Sequence, residues 1–147
     1  MRLTKILVAH DFSEPSNRAL GFAADLASKV RASLEVVHVH PDVYDGHGEP
    51  ALGTPWPNQE QEERYLRFLD QELERVVRGV LGQDADQVAR HVVRGEPIKR
   101  IEALAQEIGA DVLCVGSTGK GAVQRALLGS VSQRILRSSA IPVLTVH

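Results

Sequence analysis

Two short segments carry the groups that could do chemistry. The first is His10-Asp11-Phe12-Ser13, which sets an imidazole, a carboxylate and a hydroxyl directly after the apolar run Lys5 to Ala9. The second is Gly116-Ser117-Thr118-Gly119, which follows Asp111 to Val115 and leads on to Gly129-Ser130-Val131-Ser132. Glycines let backbone N–H groups approach an anion closely, and a helix N-terminus adds unpaired N–H donors and a favourable dipole. Ser130 and Ser132 add hydroxyl donors, while Lys120 and Arg125 supply charge between the two halves. This chemistry suits a small phosphate-bearing ligand. Familiar phosphate patterns fit poorly. No Gly-x-x-x-x-Gly-Lys-[Ser/Thr] loop is present. Gly119-Lys120-Gly121-Ala122-Val123-Gln124 approaches the dinucleotide fingerprint but ends in Gln, and no acidic residue follows it to bind a ribose. A nicotinamide dehydrogenase is excluded on both counts.

The elements that must position these segments can be read from periodicity. Lys5 to Ala9 is a short apolar run suited to a strand buried on both faces. Ser13 offers an N-cap and Pro15 is tolerated in a first turn; apolar positions then recur at helical spacing from Ala19 to Val30. Leu34 to Val39 reads as a second strand, and 41–57, with four prolines and three glycines, reads as a loop. Asn58 to Val80 is predicted as a long amphipathic helix and Val88 to Val93 as a third strand. A helix with a stripe from Ile98 to Ile108 stops at Gly109, Asp111 to Val115 makes a fourth strand, and 116–129 is a Gly-rich link. A helix from Ser130 to Ser138 and a strand from Val143 to Val146 complete the series. Strict alternation of strand and helix implies an α/β fold, a parallel sheet covered on both faces with right-handed crossovers. In such sheets ligands bind at the carboxyl ends of the strands, where strand order reverses. If the first and fourth strands are neighbours, both chemical segments line one crevice.

Composition narrows the class. At 147 residues, 43% hydrophobic and 24% charged, the chain is expected to form a single domain, 1–147, with no disulfide or metal staple. The formal charge of −2 argues against a general nucleic-acid partner. The total hides an asymmetry: residues 112–147 carry Lys120, Arg125, Arg134 and Arg137 and no acid, whereas 1–111 carry thirteen basic against nineteen acidic residues. Cys114, the one cysteine, sits in an apolar run and reads as a buried, inert thiol. The N-terminal apolar run is too short for a signal core or a membrane span, so a cytoplasmic location without a membrane partner is expected.

Gly116-x-x-Gly119, nine residues, then Gly129-Ser130 resembles the Gly-2x-Gly-9x-Gly-(Ser/Thr) pattern of nucleotide-binding universal stress proteins. The opening Lys5 to Glu14 resembles that family's first strand and Asp-[Gly/Phe]-Ser turn. Gly129 to Leu136 and Ile141 to Val146 resemble its closing helix and strand. The resemblance implies an open five-stranded parallel sheet, Rossmann-like and of the adenine nucleotide alpha hydrolase type, with strand order 3-2-1-4-5. It also implies an adenine nucleotide, ATP or else ADP or AMP, with Mg²⁺ able to accompany it. By the same resemblance Asp11 lies near the adenosine with Ala9 and His10 beside it, and the backbone at Val39 meets the adenine. Gly116 and Gly119 hold ribose and phosphates, and Gly129, Ser130, Val131 and Ser132 make the remaining phosphate contacts. A homodimer pairing the last strands across a two-fold axis is implied as well. One departure matters: many members carry Arg within the x-x pair, where this chain has Ser117-Thr118.

The first reading is therefore an ATP-binding stress sensor without a catalytic residue of its own. Two others stand beside it. One is a slow metal-assisted ATPase, for which Asp11 is the single evident carboxylate. The other is a dimeric interaction module that binds no nucleotide. Single residues also fit blander roles. Asp11 suits a turn preceding the Ser13 cap, and Arg134 and Arg137 suit a helix C-terminus. His38 and His40 share a strand face but lack a third ligand, so packing or solvated histidines are expected rather than a metal site.

Overall fold

Short β-branched runs and long amphipathic segments alternate along the chain, and the computed structural model, which describes residues 2–40, 59–117 and 130–147, turns that alternation into a layered α/β fold. The elements are β1 (Lys5–Ala9), α1 (Glu14–Val30), β2 (Ser33–His40), α2 (Gln59–Leu81), a 3-10 helix (Gly82–Gln87), β3 (Ala89–Arg94), α3 (Pro97–Ile108), β4 (Val112–Gly116), α4 (Ser130–Ser138) and β5 (Val143–Val146). Nearly all fall where periodicity puts them. The expected 41–57 loop and residues 118–129 of the glycine-rich link lie outside the described residues. The 3-10 helix was not anticipated. Its polar hexapeptide gives no apolar period to read, yet it buries Ala85 against the core.

All strand pairs are parallel and the sheet order is β3-β2-β1-β4-β5. The chain steps outward from β1 to β2 to β3, then returns to the far side of β1 for β4 and β5. The reversal falls between β1 and β4, the place where an open α/β sheet accommodates a ligand. Their register sets Ala9 against Val115. At the opposite end Asp111 locks the same pair: its carboxylate accepts from Thr4 N (2.7 Å), Thr4 Oγ1 (2.7 Å) and Lys5 N (2.9 Å). These hydrogen bonds hold its carboxyl below the usual range.

Strand alternation splits the core into two layers. Ile6, Val8, Val36 and Cys114 face α1 and α2, meeting Leu20, Ala23, Leu73 and Val77. Leu7, Val37, Leu113 and Val115 face α3 and α4, meeting Ile101, Leu104 and Ile135. Helix ends follow local chemistry. The Ser13 hydroxyl caps α1 by accepting from Ser16 N (3.3 Å), and Glu96 caps α3 by accepting from Lys99 N (2.8 Å). Gly109 stops α3 in the left-handed region at φ 68°, as its position predicted, while α1 ends on Arg31 at φ 59°.

Candidate functional site at the β1–β4 rim

The first chemical segment leaves the sheet directly after β1. His10 N donates to Val37 O (2.8 Å), a backbone tie to β2 one residue past the end of β1. Phe12 then takes φ 63°, a left-handed conformation uncommon outside glycine, which reverses the chain into the α1 cap. Several side chains hold that turn. Phe12 N donates to His10 Nδ1 (3.1 Å), so Nδ1 carries the lone pair, and Nε2–H donates to Asn17 Oδ1 (2.9 Å). Asn17 is fixed in this orientation because its Nδ2 donates to Glu14 Oε2 (3.2 Å). The Phe12 ring lies 4.4 Å from the His38 ring, whose Nδ1 donates to the His10 carbonyl (2.8 Å). Burial lowers the His10 pKa below its ordinary 6.5, a neighbouring His38 lowers it further, and Asn17 and Asp11 oppose the shift.

Asp11 acts as the turn residue that its position before the cap suggested. Its Oδ1 accepts from Ser13 N (3.0 Å) and from the Ser16 hydroxyl (2.6 Å). The carboxylate is thereby held against the first turn of α1. Ser16 itself is buried, at 3% exposure.

The second segment leaves β4 beside it. Gly116 is required by close approach and not by backbone angle: a Cβ there would lie 2.7 Å from the Pro15 carbonyl carbon and 2.9 Å from Ser16 N. Both neighbours are backbone atoms of α1, which cannot swing away. Ser117 N continues the ladder to Val146 O (2.8 Å). Ser132, buried in the first turn of α4, donates its hydroxyl to Gly116 O (2.8 Å). The start of α4 is therefore fastened to the end of β4. Val131 is 41% exposed at that helix start. Gly119 and Gly129 lie outside the described residues, as do Lys120, Arg125 and the side chain of Ser130.

Val39 sits two residues beyond the β1–β2 pairing, which ends at Ala9 and Val37. The Val37 carbonyl points to β1 and that of His40 points to β3, accepting from Gly95 N (3.0 Å). Alternation therefore aims the Val39 peptide groups toward the rim past the end of β1. Asp11, Val39, Gly116 and the start of α4 are thus placed at one end of the sheet around the strand reversal. Donors from a helix N-terminus suit an anionic group at this rim.

The profile of the Universal stress protein family matches residues 2–147. The chain belongs to this family. A universal stress protein of Methanocaldococcus jannaschii is 30% identical over 142 residues, which cover 97% of this chain and 81% of that one. Among solved structures, the universal stress protein UspA of Lactobacillus plantarum superposes with TM-score 0.80 at 21% identity, over 100% of this chain and 99% of its own. A universal stress protein in complex with cAMP gives TM-score 0.67 at 23% identity, covering 100% and 99%. One from Archaeoglobus fulgidus in complex with dAMP gives 0.61 at 23%, covering 100% of each chain. The Rossmann-like sheet with order 3-2-1-4-5 expected from the family resemblance is the one observed.

Several contacts were not foreseen. Ser16 and Asn17 gave no signal beyond ordinary first-turn residues. His91, which reads as isolated in the sequence, bonds Glu35 through Nε2 (2.7 Å), and Lys5 completes the cluster on the other Glu35 oxygen (2.8 Å). Burial raises the Glu35 pKa, but hydrogen bonds from Lys5 and His91 outweigh it and leave the net shift downward. Arg134, expected to serve a helix terminus, reaches Glu96 at the start of α3 (3.3 Å), whereas Arg137 does lie in the last turn of α4. His38 and His40 pack against rings, the latter on Tyr65 at 5.0 Å. Among the described residues no group of three or more His, Cys, Asp or Glu is placed to hold a metal ion, and no helix is long and apolar enough to cross a membrane.

Proposed function

We propose that this universal stress protein binds an adenine nucleotide, ATP in the first instance, at the rim between β1 and β4. The observation that carries the reading is the direct packing of the two family segments: Gly116 lies against Pro15 and Ser16 of the helix that holds Asp11. The complexes of two structural neighbours with cAMP and dAMP support the same ligand class. In this reading Ala9, His10 and Asp11 border the adenosine and the Val39 backbone meets the adenine. Gly116 and Gly119 face the ribose and phosphates, and Gly129, Ser130, Val131 and Ser132 receive the phosphates at the start of α4. Because the Ser132 hydroxyl proton is engaged by Gly116 O, its backbone N–H is the donor for an anion. Mg²⁺ accompanies the phosphates as a ligand of the nucleotide. The protein acts as a cytoplasmic stress-response sensor, dimeric through β5, and its output is a changed surface and not a turned-over substrate.

Isothermal titration of the full chain with ATP, ADP and AMP tests the proposal. The wild type binds at one site per chain, and Asp11→Ala weakens every nucleotide by a similar factor because the lost contact is to the shared adenosine. Absence of heat with all three at millimolar ligand rejects the reading.

A further inference from the structure

Ser16 makes a contact that ordinary helix capping does not need. In a capping box the third residue of the helix reaches back to the N-cap backbone N–H. Here that N–H, of Ser13, is already taken by Asp11 Oδ1 (3.0 Å). The Ser16 hydroxyl instead donates to the same Asp11 oxygen at 2.6 Å, and it accepts from the Ser13 hydroxyl at 3.1 Å. It does so at 3% exposure, where a hydrogen bond to a carboxylate is poorly replaced by water. The backbone of the same residue, with that of Pro15, forms the wall that Gly116 must clear. One residue therefore touches both halves of the rim, the carboxylate by its side chain and the glycine segment by its main chain.

We infer that Ser16 is a positioning residue for nucleotide binding: its hydroxyl fixes the orientation in which Asp11 presents its carboxylate at the β1–β4 rim. The inference rests on the adenine-nucleotide reading above. Ser16 acts through Asp11 and touches no ligand itself. Removing its hydroxyl leaves the carboxylate on the Ser13 N–H but takes away the 2.6 Å bond that helps to orient it, so affinity falls without loss of the site.

A double-mutant cycle on the full chain tests this, with AMP as the probe and calorimetry as the readout. Ser16→Ala weakens AMP binding by about three- to tenfold, less than Asp11→Ala does, because Ser16 acts only through that carboxylate. In the Asp11→Ala background, adding Ser16→Ala costs no further affinity. Ser16→Thr, which keeps the hydroxyl, retains wild-type affinity to within a few fold. If Ser16→Ala does not stay folded, Ser16→Cys replaces it, keeping the size and losing the strong donor. Equal losses from Ser16→Ala in both backgrounds would overturn the inference, as would a fall in melting temperature with affinity unchanged. A wild type that binds no AMP rejects the nucleotide reading itself, a result distinct from either.

Discussion

His10 must be neutral to do what it does in the turn. Its Nδ1 accepts the Phe12 N–H that stabilises a left-handed residue, and its Nε2–H donates to Asn17. Protonation would set an N–H against an N–H. With its folded pKa below the ordinary 6.5, the unfolded chain binds the proton more readily. The stability it contributes is complete above pH 6.5 and is lost as pH falls from there toward the lowered folded value. Thermal midpoints between pH 7.5 and 5.5 should therefore drop more steeply for the wild type than for His10→Asn. Parallel profiles would show that the ring titrates as it does in the unfolded chain. Cys114 makes a second prediction at this scale. Burial pushes its thiol up to about 12, and Sγ faces the Ala19 carbonyl at 3.6 Å. A thiolate is the reactive form, so alkylation by iodoacetamide should await unfolding. Rapid labelling of the native protein would contradict this.

At the scale of elements, the rim depends on how closely α1 and β4 approach. Gly116→Ala places a methyl group within 2.9 Å of α1 backbone, so one element must move. Overpacking of this kind costs about 1–3 kcal/mol. Chemical denaturation should show that loss together with weaker nucleotide binding; an unchanged midpoint would mean the approach is looser than described. Strands were legible in the sequence because Ile6 to Ala9 and Val112 to Val115 are unbroken apolar runs, and α3 was legible from its stripe and Gly109. The rim was legible only as segments. Asp11 and Gly116 announce themselves by type and spacing, but Ser16 looks like any first-turn serine until the fold shows what its hydroxyl reaches. The Lys5–Glu35–His91 cluster was invisible for a related reason. Its members come from three strands, and only the register of β1, β2 and β3 brings them together.

At the scale of the molecule, β5 ends the sheet with half of its peptide groups facing outward. Pro142 O and Val146 O both accept from the β4 segment, so alternation turns the Thr145 N–H to the open edge. Edge strands of this kind invite pairing, and pairing of two β5 strands is the proposed dimer contact. Thr145→Pro removes an outward donor without breaking a bond to β4. Sedimentation velocity at micromolar concentration should find the wild type dimeric and this variant monomeric. A monomeric wild type would contradict the pairing. The same scale gives meaning to the charge distribution. The acid-free segment from residue 112 begins at β4 and runs through α4 to β5, so the less acidic part of the chain borders the proposed phosphate end of the rim. That arrangement favours one small anion and not a polyanion.

The central claim, that the strand reversal between β1 and β4 holds an adenine nucleotide, is tested most directly by a crystal structure of the full chain grown with AMP. The account predicts adenosine beside Asp11 and Val39 with its phosphate at the start of α4. AMP bound elsewhere on the molecule, or an empty rim at saturating AMP, would contradict it.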